Sequence, residues 1–174
     1  MENSNKNKKL VSIVIPCYNE EKNINRTFEG LLEIANGHRY DFEIIAVNDG
    51  SKDDTWGVIK KYAKKHQEII GVNQMTNYGQ TAAYMAGFNQ SKGDYVIIVS
   101  ADLEIPLSNV EKVIEYLDEG YDFVNTNRVG RWGDQRAVKS NLANKIIAKI
   151  SKVEVKDRGS GVKGFTRNLI KHVK

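Results

Sequence analysis

The stretch VSIVIPCYNEE, from Val11 to Glu21, is an apolar run interrupted by one serine, stopped by a proline and followed at once by polar and acidic side chains. A short apolar run ended by proline reads as a buried strand. Asn19 ahead of Glu20 and Glu21 predicts an N-cap followed by acidic residues in the first turn of a helix. Ile24, Phe28, Leu31, Leu32 and Ala35 then recur at helical spacing, and Gly37 supplies the stop.

Working outward, the same strand-then-helix unit repeats. Phe42–Val47 predicts a second strand, ended by Asn48-Asp49-Gly50-Ser51, and Asp53 or Asp54 caps a helix running to about His66. Ile69–Asn73 is a third strand, and Gly79 to Gln90 a third helix carrying Ala82, Ala83, Met85, Ala86 and Phe88. Asp94–Val99 is a fourth strand. Ser108 opens a fourth helix with Val110, Val113, Ile114 and Leu117 on one face. Tyr121–Thr126 predicts a fifth strand, and Arg136 to Ile150 a fifth helix with Leu142, Ile146, Ile147 and Ile150. The alternation predicts an α/β domain built on a mostly parallel sheet with helices on both faces.

Composition agrees with one globular unit. The 174 residues fit a single domain with a real core, and 40% hydrophobic with 28% charged residues argues against a disordered or fibrous chain. The first ten residues are polar and Lys-rich, read as a flexible tail ahead of one domain over residues 11–174. No apolar run approaches the roughly 20 residues a membrane span needs, and no apolar segment follows the basic N-terminus as a secretory signal would require. The single cysteine, Cys17, has no partner for an internal disulfide, which fits a reducing, cytoplasmic compartment. Charge is unevenly spread: from Arg128 onward there are 13 Lys and Arg against 3 Asp and Glu, before it 13 against 19. That basic quarter suits phosphates or an anionic membrane surface, or else solvated helix faces. It lacks the interleaved aromatics used to stack nucleic-acid bases, so nucleic acid is not expected as a partner.

Four polar clusters each follow a predicted strand: Pro16 to Glu21, Asn48 to Ser51, Asn77-Tyr78-Gly79-Gln80, and Ser100-Ala101-Asp102-Leu103-Glu104. Taken singly, the first is a strand stop with a helix cap, the second a common turn and the last a solvated loop. In a parallel sheet all four converge on the carboxyl edge, where ligands of such sheets bind. An Asp after the second strand can accept hydrogen bonds from a base or ribose. Two carboxylates two residues apart can present oxygens to Mg²⁺ or Mn²⁺ on a diphosphate. Neither Gly-x-Gly-x-x-Gly after the first strand nor a Gly-x-x-x-x-Gly-Lys-Ser/Thr run occurs, against a dehydrogenase or P-loop enzyme.

As an ordered set these motifs resemble those of family-2 glycosyltransferases with the Rossmann-like GT-A fold, over about Val11 to Thr166. Arg128, Arg136, Ser140 and the run Asp157 to Lys163 are similar to the branch that includes dolichol-phosphate mannose synthase-like and bactoprenol glucosyltransferase-like enzymes. The resemblance implies an inverting transferase moving a hexose from a UDP- or GDP-sugar to a dolichyl or undecaprenyl phosphate, peripheral at the cytoplasmic face of a membrane. It implies that Pro16, Tyr18, Glu20, Asp49, Gly79 and Ser100 hold the nucleotide sugar. It implies that Asp102 lies at the metal and diphosphate, joined at the metal by Glu104. Arg128, Arg136 and Ser140 would receive the acceptor phosphate or neutralise the diphosphate, with Asp157 and Ser160 to Lys163 beside them. Self-association into a homo-oligomer is left open.

Two departures from the family pattern matter. Ser100 stands where the metal motif usually begins with Asp, and Glu104 where Gln is common. A hydroxyl is a weaker Mg²⁺ ligand than a carboxylate, so metal binding is expected through Asp102 and Glu104 with lowered or altered affinity. The chain also stops soon after Gly164-Phe-Thr-Arg167, where members usually continue, so truncation at the C-terminus is expected. Two other readings remain open: a polysaccharide-building transferase with a sugar hydroxyl acceptor and Asp157 as general base, and a nucleotide-sugar-binding protein without catalysis.

Overall fold

A computed structural model describes residues 8–102, 106–126 and 162–173. In chain order the elements are β1 (Leu10–Cys17), α1 (Ile24–Ala35), β2 (Asp41–Asp49), α2 (Thr55–Lys65), β3 (Ile69–Gln74), α3 (Gln80–Gln90), β4 (Tyr95–Val99), α4 (Ser108–Asp118), β5 (Phe123–Asn125), β6 (Val162–Thr166) and α5 (Arg167–Val173). The predicted helix from Arg136 to Ile150 lies outside the described residues.

The six strands form one sheet in the order β3-β2-β1-β4-β6-β5. The first four are mutually parallel, with Leu10 opposite Asp41, Val11 opposite Tyr95 and Ile44 opposite Ile69. β6 runs antiparallel to both β4 and β5, pairing Ile97 and Val124 with Gly164. The strand order reverses beside β1, which places the carboxyl ends of β1 and β4 at the switch point where such sheets bind ligands.

Alternating side chains of the central strands feed two cores, as a two-fold repeat requires. On one face Val11, Ile13, Ile15, Ile44, Ala46 and Ile97 pack with Phe28 and Leu31 of α1, Ile59 of α2 and Val110, Val113, Ile114 and Leu117 of α4. On the other, Val14, Ile45, Val47, Val96 and Ile98 pack with Ala83 and Phe88 of α3 and Ile170 of α5. Each fully buried aliphatic or aromatic side chain contributes about 1.5–3 kcal/mol, so these layers hold the strands rigidly beneath the loops.

One expectation is corrected and another narrowed to one of its two candidates. Asn19 is not a helix cap: α1 begins at Ile24, five residues later, and Asn19 sits at φ 57° in the preceding loop. Its backbone and side chain are engaged by a neighbouring loop. For α2 the capping contact comes from Asp53, whose carboxylate accepts the Thr55 N–H at 3.1 Å, while Asp54 at the cap position makes no side-chain cap bond.

Candidate active site

β1, β2, β3 and β4 end on the same edge of the sheet, and the loop after β2 is the hub of that edge. It joins the loop after β1 through a ladder of bonds. The Asn19 N–H donates to Ser51 Oγ at 3.0 Å, and the Lys52 N–H returns to Asn19 Oδ1 at 2.8 Å. The Glu20 N–H donates to Thr55 Oγ1 at 2.8 Å, the Glu21 N–H to Asp53 Oδ2 at 3.2 Å, and the Asp54 N–H to Glu21 Oε2 at 2.9 Å. Thr55 is fully buried, and its hydroxyl donates onward to Asp53 Oδ1. Burial pushes the Asp53 carboxyl pKa up, but the Thr55 hydroxyl and amide and the Glu21 amide outweigh it, so the net shift is downward.

The same hub grips the loop after β3. Asp49, 4% exposed, accepts the Tyr78 N–H on Oδ1 at 2.8 Å and the Gly79 N–H on Oδ2 at 3.0 Å. Behind it the Asn48 amide donates to Asn73 Oδ1 at 2.7 Å, and Asn48 Oδ1 accepts the Ser51 N–H at 3.3 Å. Gly50 adopts φ +64°, and a Cβ there would stand 2.3 Å from the Thr76 carbonyl carbon. Only glycine allows this close crossing of two backbones.

The loop after β4 is held from below. Ala101 is buried, its carbonyl accepts the Thr27 hydroxyl of α1 at 2.7 Å, and the next residue, Asp102, is exposed. Pro16 and Ser100 are half-buried, as is Glu20, whose Oε2 accepts the Asn23 amide at 2.8 Å. Tyr18 and Tyr78 are exposed at 41% and 63%, leaving aromatic faces free on the first and third loops.

Pro16, Tyr18, Glu20, Asp49, Gly79, Ser100 and Asp102 thus all fall on the carboxyl edge. Asp49 reaches Gly79 directly. Of the others, Glu104, Arg128, Arg136, Ser140, Asp157, Ser160 and Gly161 lie outside the described residues, and Lys163 lies in β6. The residues that knit the edge together, Asn19, Thr27, Ser51, Asp53 and Thr55, were not anticipated as site residues. A buried Thr in the apolar stripe of α1 was a readable signal, since Thr27 falls between Ile24 and Phe28, Leu31 on that stripe.

Among the described residues no cluster of three or more His, Cys, Asp and Glu could by itself hold a metal ion. Mg²⁺ is commonly held by one or two carboxylates together with substrate phosphates, and exposed Asp102 at the switch point is a carboxylate of the kind such a cation takes.

A mostly parallel sheet in this order, with the loops after its first three strands tied to one another and an exposed carboxylate after the fourth, has the fold of a class: the GT-A-fold glycosyltransferases. Solved structures share the fold. A mannosyltransferase from Pyrobaculum calidifontis in complex with GDP-Man and Mn²⁺ superposes with a TM-score of 0.69 at 19% identity, over 97% of this chain and 47% of that one. Glucosyl-3-phosphoglycerate synthase from Mycobacterium tuberculosis in complex with UDP gives 0.71 at 24% identity, over 92% and 58%. The chain belongs to glycosyl transferase family 2, whose sequence model matches residues 12–173. Curated relatives include undecaprenyl-phosphate 4-deoxy-4-formamido-L-arabinose transferases. That of Aeromonas hydrophila is 36% identical over 93% of this chain and 50% of its own length, and that of Shewanella sediminis 34% identical over 96% and 51%. The chain spans about half the length of these relatives.

Proposed function

We propose that this chain carries the donor site of an inverting glycosyltransferase that moves a sugar from a UDP- or GDP-sugar to a polyprenyl phosphate. The observation that carries the reading is the interlocked carboxyl edge, in which Asp49, Gly50 and Ser51 fix the first and third loops and Asp102 stands exposed on the fourth. The names of the curated relatives support a polyprenyl phosphate acceptor. They also widen the sugar from the expected hexose to include a modified pentose such as theirs.

In the transfer, an oxygen of the ionised lipid phosphate attacks the anomeric carbon. The new carbon–oxygen bond forms as the bond to the nucleoside diphosphate breaks, and the electron pair leaves with the diphosphate. No proton need be removed from the acceptor, so alignment and charge stabilisation are the protein's tasks. Tyr18 and Tyr78 offer faces for a base, on loops that Asp49 and Asp53 already fix in the free chain. Asp102, with Glu104, would hold a divalent cation, which when bound offsets the charge growing on the leaving diphosphate. Arg128, Arg136 and Ser140 are suited to the acceptor phosphate, the guanidinium fork matching phosphate oxygens, and Asp157 would lie beside them. Among the described residues no helix is long and apolar enough to cross a membrane. The basic C-terminal quarter would favour docking at the cytoplasmic surface of a membrane, where the lipid phosphate is presented.

Calorimetric titration with UDP-glucose and GDP-mannose, each with Mn²⁺ and with EDTA, tests the donor site. Metal-dependent binding of one donor is the expected result and names the nucleotide. Binding of neither overturns the reading.

A further inference from the structure

The two described ends of the fourth loop, one of which leads directly into the exposed carboxylate, are held by α1. Thr27 is completely buried, yet it stands in the apolar stripe formed by Ile24, Phe28 and Leu31. Its hydroxyl has one proton. The helix's own carbonyl at Asn23 lies at a poor 3.4 Å, whereas the Ala101 carbonyl lies at 2.7 Å. The proton therefore goes to Ala101, 74 residues away in sequence. That carbonyl sits where water does not replace a lost partner, because Ala101 is 3% exposed. One turn along the same face, Gly30 provides a notch. A Cβ there would come within 2.3 Å of Leu107 Cδ1, so Leu107 seats against the bare backbone. Thr27 thus pins the chain one residue before Asp102, and Gly30 receives it five residues after.

We propose that Thr27 is the positioning residue for Asp102, and that α1, through Thr27 and Gly30, sets the affinity of the fourth loop for a divalent cation on a nucleoside diphosphate. The inference rests on the reading that Asp102 holds that cation. With Ser100 in the place of a carboxylate, the remaining aspartate has less help, and its orientation counts for more. A direct hydrogen-bond partner of a metal-binding carboxylate typically changes metal affinity 10–100-fold when removed, and Thr27, which acts through the backbone one residue away, is expected at the low end of that range.

The test is titration of Mn²⁺ into the full chain saturated with UDP, and separately with GDP, followed by calorimetry, with circular dichroism as the check on folding. Thr27→Val keeps the side-chain volume and removes only the donor, whereas Thr27→Ser keeps the donor and loses a methyl. The expected result is an Mn²⁺ affinity about tenfold weaker in Thr27→Val and within about twofold of wild type in Thr27→Ser. A role confined to packing would weaken neither or both, and either result overturns the proposal. Gly30→Ala leaves the hydroxyl in place and reads the loop from its other end. It is expected to weaken Mn²⁺ binding severalfold, and it decides the matter if Thr27→Val does not fold: wild-type affinity in Gly30→Ala then overturns the proposal. Asp102→Asn separates the two levels. If it binds Mn²⁺ as wild type does, the reading of Asp102 and the proposal fall together. If it loses binding while Thr27→Val does not, the proposal alone falls.

Discussion

Asp49 illustrates how one side chain organises the site. Each of its carboxylate oxygens accepts a backbone N–H from the third loop, and the group is almost fully enclosed. In Asp49→Asn one acceptor becomes an NH₂ group facing an N–H, so one bond is lost and a donor is left unsatisfied. Hydrogen bonds to a charged group contribute about 1.5–3 kcal/mol, and the substitution is expected to cost about 2–3 kcal/mol, read as a lower urea midpoint with unchanged slope. Donor affinity should fall with it, because Tyr78 is carried by the released loop. Gly50→Ala meets two obstacles, a positive φ and a backbone carbon at 2.3 Å, and should destabilise the fold by at least about 2 kcal/mol in the same assay. Cys17 is fully buried, and burial, with a smaller push from the Glu20 charge, raises its thiol pKa. It should resist alkylation at neutral pH until the chain unfolds.

Elements are joined to one another by a few polar staples, and α4 shows the strongest. Asp118 at its last residue accepts the hydroxyls of Tyr40, before β2, and Tyr95, at the start of β4, the latter at 2.8 Å. Lys9 and Arg39 add pairs at 3.3 and 2.8 Å, but both cations are more than half exposed and contribute little. Burial, with the Asp118 carboxylate beside it, pushes the Tyr40 phenol up to about 12. Asp118→Ala should cost about 2–3 kcal/mol from the two phenol bonds, lowering the thermal midpoint by about 5–10 °C. Asp118 and Asp53 are both net depressed despite the upward push of burial, because the hydrogen bonds they accept outweigh it. A depressed carboxyl gives its full stability above the unfolded pKa of about 4 and loses it as pH falls through the lower folded value. Acid melting should therefore set in below about pH 4, and Asp118→Asn should flatten that fall in a series of melts against pH. At this scale much was legible from sequence, because a buried strand and an amphipathic helix each write their period into the chain: β1 to β4 and α1 to α4 stand within a few residues of where the pattern puts them. Asn19 misled because its side chain serves a loop 33 residues away, and a local motif carries no trace of a distant partner. The four clusters were legible as ligands of one edge, whereas the ladder among them was not, since serine, threonine and aspartate in a turn look alike whichever neighbour they meet.

For the molecule as a whole, the decisive feature is β6. Its five residues, VKGFT, have neither a clear alternation nor a long apolar run, and nothing in them announces direction, so neither the strand nor α5 behind it was expected. Yet it lies inside the sheet, between β4 and β5. Gly164 lets it press against α4, where a Cβ would stand 2.3 Å from Val113 Cγ1. Arg167 locks the strand's end, its Nε–H donating to the Gly93 carbonyl at 2.7 Å and a second nitrogen to Ser91 Oγ at 3.2 Å. A chain ended at residue 161 would leave the fully buried strand β4 as a bare edge and β5 without a partner. Such a chain should be recovered as aggregate or should bind a hydrophobic dye, unlike the full chain. The same strand dictates an order of events during synthesis. β1 to β4 can assemble as soon as they are made, since each parallel neighbour is already present when it is needed. β5, whose partner among the described strands is β6, then waits for it until Thr166 has been added and a strand of opposite direction slips in beside it. For the interval in which those residues are being added, the growing polypeptide displays the hydrogen-bonding edge of its most apolar strand, and that is when a chaperone would find it.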